Sequence, residues 1–321
     1  MKAIAYTRYG GPDVLKLIEM PAPAPKAGEI QVHVTASAVT TADWRLRASA
    51  FPGGLWLAGR IYAGLFKPRK PVLGLTFAGT ISALGDGVTD WQIGQRVYGF
   101  SGGGAHAETL TIPKDKAIAP TPDNLTDAEA AALPFGAVCA YSFLHEIADL
   151  KAGQRILIIG ATGGVGANAV QIAHHMGAHV TAVCSTANHE LARDLGADAV
   201  IDYHKTDPLN GPEAYDVVFD CVGASTYSRA IQVLRPGGLY LPLNFGIQQL
   251  LDNLRPKRKD GKHMRLHVNG DNKEYLLALN KMVEAGALRG VVDSTHPLPE
   301  APKAHTRVAS RHARGTVILC P

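Results

Sequence analysis

Residues 155–166, RILIIGATGGVG, constrain the fold of this chain more than any other stretch. The mostly β-branched run at 156–159 suits a strand buried on both faces, and such strands occur mainly in parallel sheets. Gly160 and Gly163 let the chain turn tightly and let its amides approach an anion, while Gly166 lets the next helix pack against the strand. Because the N-terminus of that helix faces the turn, the stretch predicts a phosphate-binding site.

The residues after the turn complete a βαβ unit. Residues 165–176 place small and apolar side chains on one helical face, Gly177 ends the helix, and residues 179–184 return as a strand. A glycine pattern alone is a weak signal, but in this order of strand, turn, helix and strand it predicts dinucleotide binding.

The choice of dinucleotide depends on the residues about 20 positions beyond the turn. A carboxylate there accepts a hydrogen bond from the ribose hydroxyl of NAD and repels the extra phosphate of NADP. This chain has Cys184, Ser185 and Thr186 at that point, so hydroxyls are present to donate to a 2′-phosphate and no carboxylate is expected to oppose it. NADPH is therefore favoured over NADH as the cofactor.

Length and composition limit the class of protein. At 321 residues the chain exceeds the about 250 to 300 residues at which one core usually stops growing, so two lobes are expected. The first residues lack the apolar core of a signal peptide, and no segment approaches about 18 uninterrupted apolar residues. A net charge of +4 suits an anionic cofactor without requiring nucleic acid. We expect a cytoplasmic protein without a membrane or nucleic-acid partner.

One basic cluster interrupts this ordinary charge pattern, and its members are Arg255, Lys257, Arg258, Lys259 and Lys262. Charge runs usually keep loops in water, so a solvated loop is expected. Contact with phosphate or a partner is the alternative, and salt-sensitive affinity for RNA or DNA would support it.

The cysteines and histidines do not indicate a metal site. The four cysteines, at 139, 184, 221 and 320, contain no CxxC pair, so neither disulfides nor structural zinc are expected. His174 and His175 are adjacent on a helix and point in different directions, so they cannot bind one ion together.

Two kinds of pattern divide the chain. Residues 1–120 carry short strand-like runs broken by Gly, Pro and Asp, which indicates a β-rich lobe. Residues 127–147 look helical, and from 155 to about 244 strands and helices alternate, which indicates a doubly wound parallel sheet. Since that sheet is complete by about residue 270, later elements are expected to return to the first lobe. The expected domains are 1–120, completed by 271–321, and 121–270.

The order and spacing of eight segments carry a family resemblance. They are ASAVTTADWRLRAS at 36–49, PVLGLTFAGTISALGDGVTDWQIGQRVYGF at 71–100, GGGAHAE at 102–108, the GATGGVG turn, LGADAVIDY at 195–203, YDVVFDCVG at 215–223, LRPGGLY at 234–240 and HARGTVIL at 312–319. Across essentially its whole length the chain resembles the medium-chain dehydrogenase/reductase superfamily, in its zinc-free quinone oxidoreductase branch. The resemblance implies an α/β fold with a Rossmann doubly wound parallel sheet plus a GroES-like β-rich catalytic domain, and a homodimer.

Zinc-dependent members of the superfamily have a cysteine before the aspartate of the first segment and a His-Glu pair after the glycine of the second. This chain has Thr40 before Asp43, and Leu75 and Thr76 after Gly74. Neither position supplies the thiolate and imidazole that catalytic zinc prefers, so no metal is expected.

Without a metal, polarisation of a substrate carbonyl depends on hydrogen bonds, and simple alcohol oxidation lacks stabilisation of its alkoxide. Hydride addition to an enone or a quinone instead gives an enolate or a hydroquinone anion, whose charge is already delocalised. Together with the resemblance, this favours NADPH-dependent reduction of a small apolar carbonyl or quinone.

The resemblance carries catalytic roles onto Thr40, Asp43 and Arg45. Relatives commonly have Asn in place of Thr40, whose hydroxyl either donates to substrate or only satisfies local backbone. Arg45 holds developing negative charge, forms an ion pair with Asp43, or has only a surface role. Tyr62 and Tyr141 are alternative proton donors, although aromatic side chains more often fill cores or line pockets.

Cofactor contacts are also implied by the resemblance. The pyrophosphate turn matches Gly160, Ala161, Thr162, Gly163, Gly164 and Val165, and the 2′-phosphate loop matches Ser185, Thr186 and Tyr203. Positions near the nicotinamide match Cys139, where relatives often have Thr, and Val222, Gly223, Asn244 and Phe245. His312 and Arg314 match a closing segment that ends in Lys where this chain has Thr316.

Two features leave the substrate open. In the GGGAHAE turn, His106 either reaches the substrate mouth or is a partly exposed loop histidine. Residues 50–70 are apolar and aromatic, which favours a greasy ligand or packing of Trp56, Leu57, Ile61 and Phe66 against the lobe or a second subunit. Besides a quinone or enone reductase, the chain fits a pathway-specific biosynthetic reductase, or a nucleotide-binding protein with little turnover.

Overall fold

The computed structural model describes residues 1–254, 258–268 and 270–321. In chain order its strands are β1 Lys2–Ala5, β2 Lys16–Glu19, β3 Glu29–Val39, β4 Thr76–Leu84, β5 Arg96–Phe100, β6 Thr109–Pro113, β7 Ile118–Pro120, β8 Arg155–Ile159, β9 His179–Cys184, β10 Ala199–Asp202, β11 Tyr215–Asp220, β12 Leu234–Pro242, β13 His263–Met264, β14 Val292–Pro297 and β15 Thr316–Cys320. Its α-helices are α1 Thr41–Ala48, α2 Trp56–Ala63, α3 Asp127–Tyr141, α4 Gly166–His175, α5 His189–Asp194, α6 Tyr227–Val233, α7 Ile247–Asn253, α8 Lys273–Glu284 and α9 Ala301–Ala309.

The first of two compact units comprises Met1–Phe51, Trp56–Val138 and Asp271–Pro321. Its main sheet has the order β14-β15-β3-β4-β5-β7, and β6 also pairs with β3. Along the central strand β3, the alternate residues Ile30 and Val32 are buried, as expected where one face of a sheet covers a core. Because β15 pairs with β3, the two ends of the chain build this unit together.

The second unit comprises Pro52–Leu55 and Cys139–Gly270. Its six strands are all parallel, in the order β10-β9-β8-β11-β12-β13. The order reverses between β8 and β11, and in such sheets ligands bind outside the carboxyl ends of the strands at this reversal. The predicted doubly wound parallel sheet is confirmed, although the RPGG stretch expected as a turn lies within β12.

The first boundary between the units falls within α3, between Val138 and Cys139, and not after residue 120 as the sequence suggested. The beginning of α3 is tied to the first unit through Asp127. Its carboxylate accepts a hydrogen bond from the Thr35 hydroxyl at 2.6 Å and forms an ion pair with Arg96 at 2.6 Å. A helix that starts on one unit and ends in the other leaves no change of pattern in the sequence at the boundary.

Residues 52–55, expected in the first domain, belong to the second unit. The amide of Ile247 donates to the carbonyl of Gly53 at 2.8 Å, and the backbone of Gly246 lies directly against Gly53. Any side chain on Gly53 or Gly246 would prevent this contact. The chain returns to the first unit at Asp271.

Among the described residues, Asp127–Ile147 is the one helical stretch that is long and apolar enough to cross a membrane. However, 72% of its apolar window is buried inside the structure. A mostly buried apolar helix is typical of a protein core, so this stretch is weak evidence for a membrane span.

The expectation of a solvated basic loop is wrong for one of its members. Lys262 is buried and its ammonium pairs with Glu213. Arg258 and Lys259 are exposed, as expected. The remaining members, Arg255 and Lys257, lie outside the described residues.

Candidate functional site

Three glycines in and after the turn that follows β8 differ in what an added side chain would contact. Gly160 has φ = 79°, and a Cβ there would lie 2.5 Å from Cγ1 of Val222. A Cβ on Gly166 would overlap the carbonyl oxygen of Gly160, because the start of α4 packs directly on the turn. A Cβ on Gly163 would meet nothing nearer than that same oxygen, at 3.6 Å. Gly163 therefore leaves room for a ligand, whereas the other two glycines are required by packing.

Several amides of this turn are already engaged. Those of Gly160 and Ala161 both donate to the Val183 carbonyl at 3.1 Å, and that of Gly163 donates to Gly160 at 3.2 Å. The turn residues thus shape a cradle, and the positive end of the α4 dipole supplies the attraction for phosphate. An open cradle at a helix N-terminus fits the pyrophosphate of a dinucleotide.

A carboxylate lies beside the residues predicted to bind the 2′-phosphate. β9 and β10 are in register, with Cys184 beside Asp202, and the Thr186 hydroxyl donates to the Asp202 carboxylate. The amide of His204 donates to it as well, at 2.9 Å. These two hydrogen bonds, the one from Thr186 above all, lower the pKa of Asp202 and keep it ionised. The premise that no carboxylate opposes a 2′-phosphate here is wrong, because the neighbouring strand supplies one.

The other residues of the predicted 2′-phosphate loop lie at the same edge of the sheet. Tyr203 follows β10 and its ring centroid lies 4.2 Å from that of His204. Asn188 donates from Nδ2 to the Thr162 hydroxyl at 3.1 Å, which ties the loop after β9 to the glycine turn. Ser185, half-buried, begins that loop. Residues predicted at two separate places in the sequence are therefore brought together.

Asp220, which the sequence patterns did not single out, organises the loop after β11. Its buried carboxylate accepts the amides of Val222 at 3.1 Å, Gly223 at 2.8 Å and Ser225 at 2.8 Å. The Tyr240 hydroxyl also donates to it, at 3.3 Å. This carboxylate therefore fixes the loop whose Val222 side chain packs on the glycine turn.

The remaining predicted nicotinamide residues surround this loop. Asn244 donates from Nδ2 to the Cys221 carbonyl at 3.1 Å, and Phe245 beside it is half-buried. Cys139 is buried near Cys221, and burial raises the pKa of the Cys139 thiol to about 12. A neutral buried thiol is inert, so Cys139 shapes the site without supplying a nucleophile.

In the first unit, Thr40 and Asp43 form the N-terminal cap of α1. The Thr40 hydroxyl donates to Asp43 Oδ2 at 2.6 Å, and the Asp43 amide donates back to the Thr40 oxygen at 3.2 Å. The other carboxylate oxygen accepts the amide of Gly74 at 2.9 Å. Both side chains are buried, so this geometry supports the alternative in which Thr40 satisfies its local surroundings.

Arg45 lies two residues after Asp43 on α1 and is half-buried. Burial above all, and then the positive charge of the nearby Arg311, lower the pKa of Arg45. His312 and Arg314 lie on the exposed turn that follows, where the Arg314 amide donates to Asp293 at 2.7 Å.

Both expectations for His106 are wrong, because the residue is fully buried. Its Nδ1 hydrogen bonds with the Ser37 hydroxyl at 2.9 Å, and its ring meets that of His305 edge-on with 5.6 Å between centroids. Arg47 donates from Nε to His305 at 3.4 Å and from Nη1 to the Gly10 carbonyl at 2.5 Å. His106 therefore belongs to a buried polar cluster within the first unit.

The two alternative proton donors are in different surroundings. Tyr62 is exposed on α2. The Tyr141 ring stacks on His145 with 4.8 Å between centroids. Stacking of this kind is common where an aromatic ring packs on a helix surface, so it does not distinguish the two roles expected of Tyr141.

Comparison with known proteins places the chain in a family. Profiles described as alcohol dehydrogenase GroES-like domain and zinc-binding dehydrogenase match residues 26–123 and 195–319. The chloroplast envelope quinone oxidoreductase homolog of Arabidopsis thaliana is 31% identical, over 100% of this chain and 98% of the relative. The chain belongs to the quinone oxidoreductase branch of the medium-chain dehydrogenase/reductase superfamily. The predicted family is confirmed.

Further relatives of this quinone oxidoreductase branch cover the whole chain. The chloroplastic NADPH-dependent alkenal/one oxidoreductase of Arabidopsis thaliana is 32% identical, over 100% of this chain and 80% of the relative. The Escherichia coli quinone oxidoreductase, solved in complex with NADPH, matches with a TM-score of 0.83 and 26% identity over 100% of both chains. These matches and the GroES-like profile confirm the predicted fold class.

This branch member carries no evident zinc site in the part of the chain that the structure describes. There, no group of three or more His, Cys, Asp or Glu side chains is arranged to hold a metal ion. Cys139, Cys184 and Cys221 are buried and Cys320 is exposed, all as free thiols. Zinc-free chemistry stays a prediction from the residues at Thr40, Leu75 and Thr76.

Proposed function

We propose that this protein reduces quinones or α,β-unsaturated carbonyls with NADPH, without zinc. The observation that carries the proposal is the open cradle at Gly163, at the start of α4, in a chain similar throughout to oxidoreductases of those substrates. The substrate is a small apolar carbonyl compound or quinone.

The second unit supplies the cofactor contacts. The turn at 160–165 and the N-terminus of α4 bind the pyrophosphate, and the loop held by Asp220 lies beside them. Bound NADPH supplies a hydride to the acceptor. Ser185 and Tyr203 receive the 2′-phosphate, whereas the Thr186 hydroxyl already donates to Asp202. The positive charge of Lys205, which lies near enough to lower the pKa of Asp202, assists them.

The first unit supplies stabilisation of negative charge. Hydride transfer leaves an enolate or a hydroquinone anion, and we assign stabilisation of that charge to the half-buried guanidinium of Arg45. Because the Thr40 hydroxyl already donates to Asp43, we do not assign the proton donor to this pair.

A panel of acceptors tests this function. NADPH oxidation is followed with a 1,4-benzoquinone, a 1,4-naphthoquinone, a 2-alkenal and a cyclic enone, with a saturated aldehyde as the negative control. We expect turnover of the conjugated acceptors only, unchanged by a metal chelator. Loss of activity on chelation, with recovery on adding zinc, would contradict the zinc-free chemistry.

The same panel separates the two rival functions. Activity on a single elaborate enone would indicate a pathway-specific biosynthetic reductase. Tight NADPH binding without turnover of any acceptor would indicate a nucleotide-binding protein. In the active enzyme, Arg45→Met is expected to lower kcat about tenfold with unchanged NADPH affinity, because the residue acts on the acceptor's charge.

Assembly and location are further predictions. We infer a homodimer from the family resemblance and a cytoplasmic location from the sequence. Light scattering on purified protein measures the mass and tests the first, and fractionation of the producing cells tests the second.

A further inference from the structure

Residues 56–70, which comprise α2 and the turn after it, expose apolar side chains. Trp56, Tyr62 and Phe66 are 52%, 75% and 89% exposed, and Leu57, Ile61 and Leu65 are also exposed. Of the alternatives that the sequence left open, packing of Trp56, Leu57, Ile61 and Phe66 against the lobe is therefore not observed. Clustered exposed apolar side chains mark an interaction surface more often than isolated ones do.

The charged side chains in this part of the sequence are all basic. Between Asp43 and Asp86 the chain contains six basic residues and no acidic one. Three of the six, Lys67, Arg69 and Lys70, directly follow α2 and are exposed. Because the net charge of the whole chain is only +4, this stretch concentrates the positive charge of the protein.

Local contacts hold the basic turn against the end of α2. The amide of Arg69 donates to the Ala63 carbonyl at 2.9 Å, which folds the basic turn back onto the end of α2. The guanidinium of Arg60 lies 3.8 Å from the ring centroid of Tyr9 and donates to the Leu65 carbonyl at 2.6 Å. The surface is therefore a defined structure and not a loose loop.

We propose that residues 56–70 dock the protein peripherally on an anionic lipid surface. Tryptophan, tyrosine and phenylalanine side chains favour the headgroup boundary, and lysine and arginine bind the lipid phosphates. A second copy of this chain suits the surface less well. A symmetric contact would place two copies of this basic segment in one interface, with no acidic residue in the segment to pair with it.

This docking departs from the sequence-based prediction of no membrane partner. That prediction rested on the lack of a long apolar segment, and a surface helix needs none. The docking is compatible with the proposed function, because apolar quinones and enones dissolve in lipid. It rests on the exposure and charge of residues 56–70 and is tested by vesicle binding alone.

Sedimentation of the full chain with lipid vesicles tests the proposal. One set of vesicles contains phosphatidylcholine only, and the other adds phosphatidylglycerol. We expect the protein to sediment with the anionic vesicles and not with the neutral ones. Salt at about 1 M, where the Debye length falls to about 3 Å, is expected to weaken the binding strongly.

Single substitutions identify the surface. Lys67→Gln is expected to weaken vesicle binding about fivefold, and Phe66→Gln about tenfold. The matched controls are Ile93→Gln, an exposed apolar residue of the same unit near Asp90, and Lys16→Gln, an exposed basic residue on β2. The controls are expected to bind as the unmodified protein does, and all four variants to keep its melting temperature.

Three results would overturn the proposal. The first is no binding to either set of vesicles at low salt. The second is binding that Phe66→Gln and Lys67→Gln leave unchanged. The third is a vesicle-free oligomer that Phe66→Gln dissociates, which would assign the surface to a second copy. NADPH oxidation with a water-soluble quinone, measured without vesicles, shows separately whether the proposed function holds.

Discussion

The turn after β8 and the cap of α1 both carry predicted site residues, yet the structure uses them in opposite ways. At Gly163 the backbone leaves space that nothing in the protein fills. At Thr40 and Asp43 the side chains are buried and bonded to each other and to Gly74. The first region is open to a ligand, whereas the second holds α1 in place.

The difference between the two regions shows which kinds of binding site can be recognised from residue type alone. A glycine indicates space for close approach, and that property belongs to the residue itself. The chemistry of a hydroxyl or a carboxylate depends on its partner, which the residue type does not specify. The sequence did hold a signal at α1, since Thr40 and Asp43 have the spacing of a capping box, [ST]-x-x-[DE].

Substitutions of two glycines in the same turn give the largest expected effects. Gly166→Ala places a methyl group on the Gly160 carbonyl oxygen, so the free energy of unfolding is expected to fall by about 3 kcal/mol. Gly163→Ala is expected to fold normally but to bind NADPH on the order of 100-fold more weakly, because the methyl group displaces the pyrophosphate. Urea unfolding and calorimetric titration measure the two effects.

Gly211→Ala is the matched control for this pair, because a Cβ there meets nothing within 4 Å. It should change neither stability nor binding. If Gly163→Ala binds NADPH normally, the cradle is not the pyrophosphate site, and the contrast with α1 loses its basis.

Asp43→Ala tests the other side of the comparison. It removes the acceptor for the buried amides of Thr40 and Gly74, so the free energy of unfolding is expected to fall by about 2 to 3 kcal/mol. The folded fraction of Asp43→Ala should keep its NADPH affinity. Thr40→Ser, which keeps the hydroxyl, should leave the free energy of unfolding almost unchanged. An Asp43→Asn variant with unchanged stability and abolished turnover would instead make Asp43 catalytic.

Local patterns predicted much of the second unit correctly. The β-branched run at 156–159, the glycine turn and the alternation after it correspond to β8, α4 and the parallel sheet. These features are fixed by neighbours in the sequence, through side-chain periodicity and backbone freedom. Here sequence and structure agree because the type of each element is decided locally, even though the pairing of the strands is not.

What could not be predicted depends on long-range pairing. Asp202 reaches Thr186 only because β9 and β10 pair in a particular register, and Lys262 is buried only because Glu213 lies next to it. His106 looks like a loop residue in a glycine-rich stretch, yet it faces Ser37, far away in the sequence. Composition gives no indication of any of these partners.

The pH dependence of stability tests whether that buried cluster is structural. Burial lowers the pKa of both His106 and His305, so both are neutral in the folded protein. The unfolded chain binds these protons first, near pH 6.5. The stabilisation is therefore complete above about pH 6.5 and is lost as the pH falls below it, by up to about 1.4 kcal/mol per pH unit for each histidine.

Urea unfolding across this pH range measures the slope. His305→Gln is expected to reduce the slope by about one proton, whereas His312→Gln, at an exposed position, should leave it unchanged. An equal slope in His305→Gln and the unmodified protein would show that the cluster takes up its protons without unfolding.

Asp202→Asn gives the smallest expected effect and sharpens the comparison within the cofactor site itself. The carboxylate opposes a 2′-phosphate and accepts the Thr186 hydroxyl, so its removal is expected to raise the preference for NADPH over NADH about fivefold. The preference is the ratio of kcat/KM for the two cofactors. The matched control is Asp198→Asn, before β10, whose carboxylate accepts the Val180 amide at 2.7 Å and which should leave the ratio unchanged. A ratio that moves toward NADH would mean that Asp202 orients Thr186 for the phosphate, and that in this loop the partner of a hydroxyl matters more than the charge beside it.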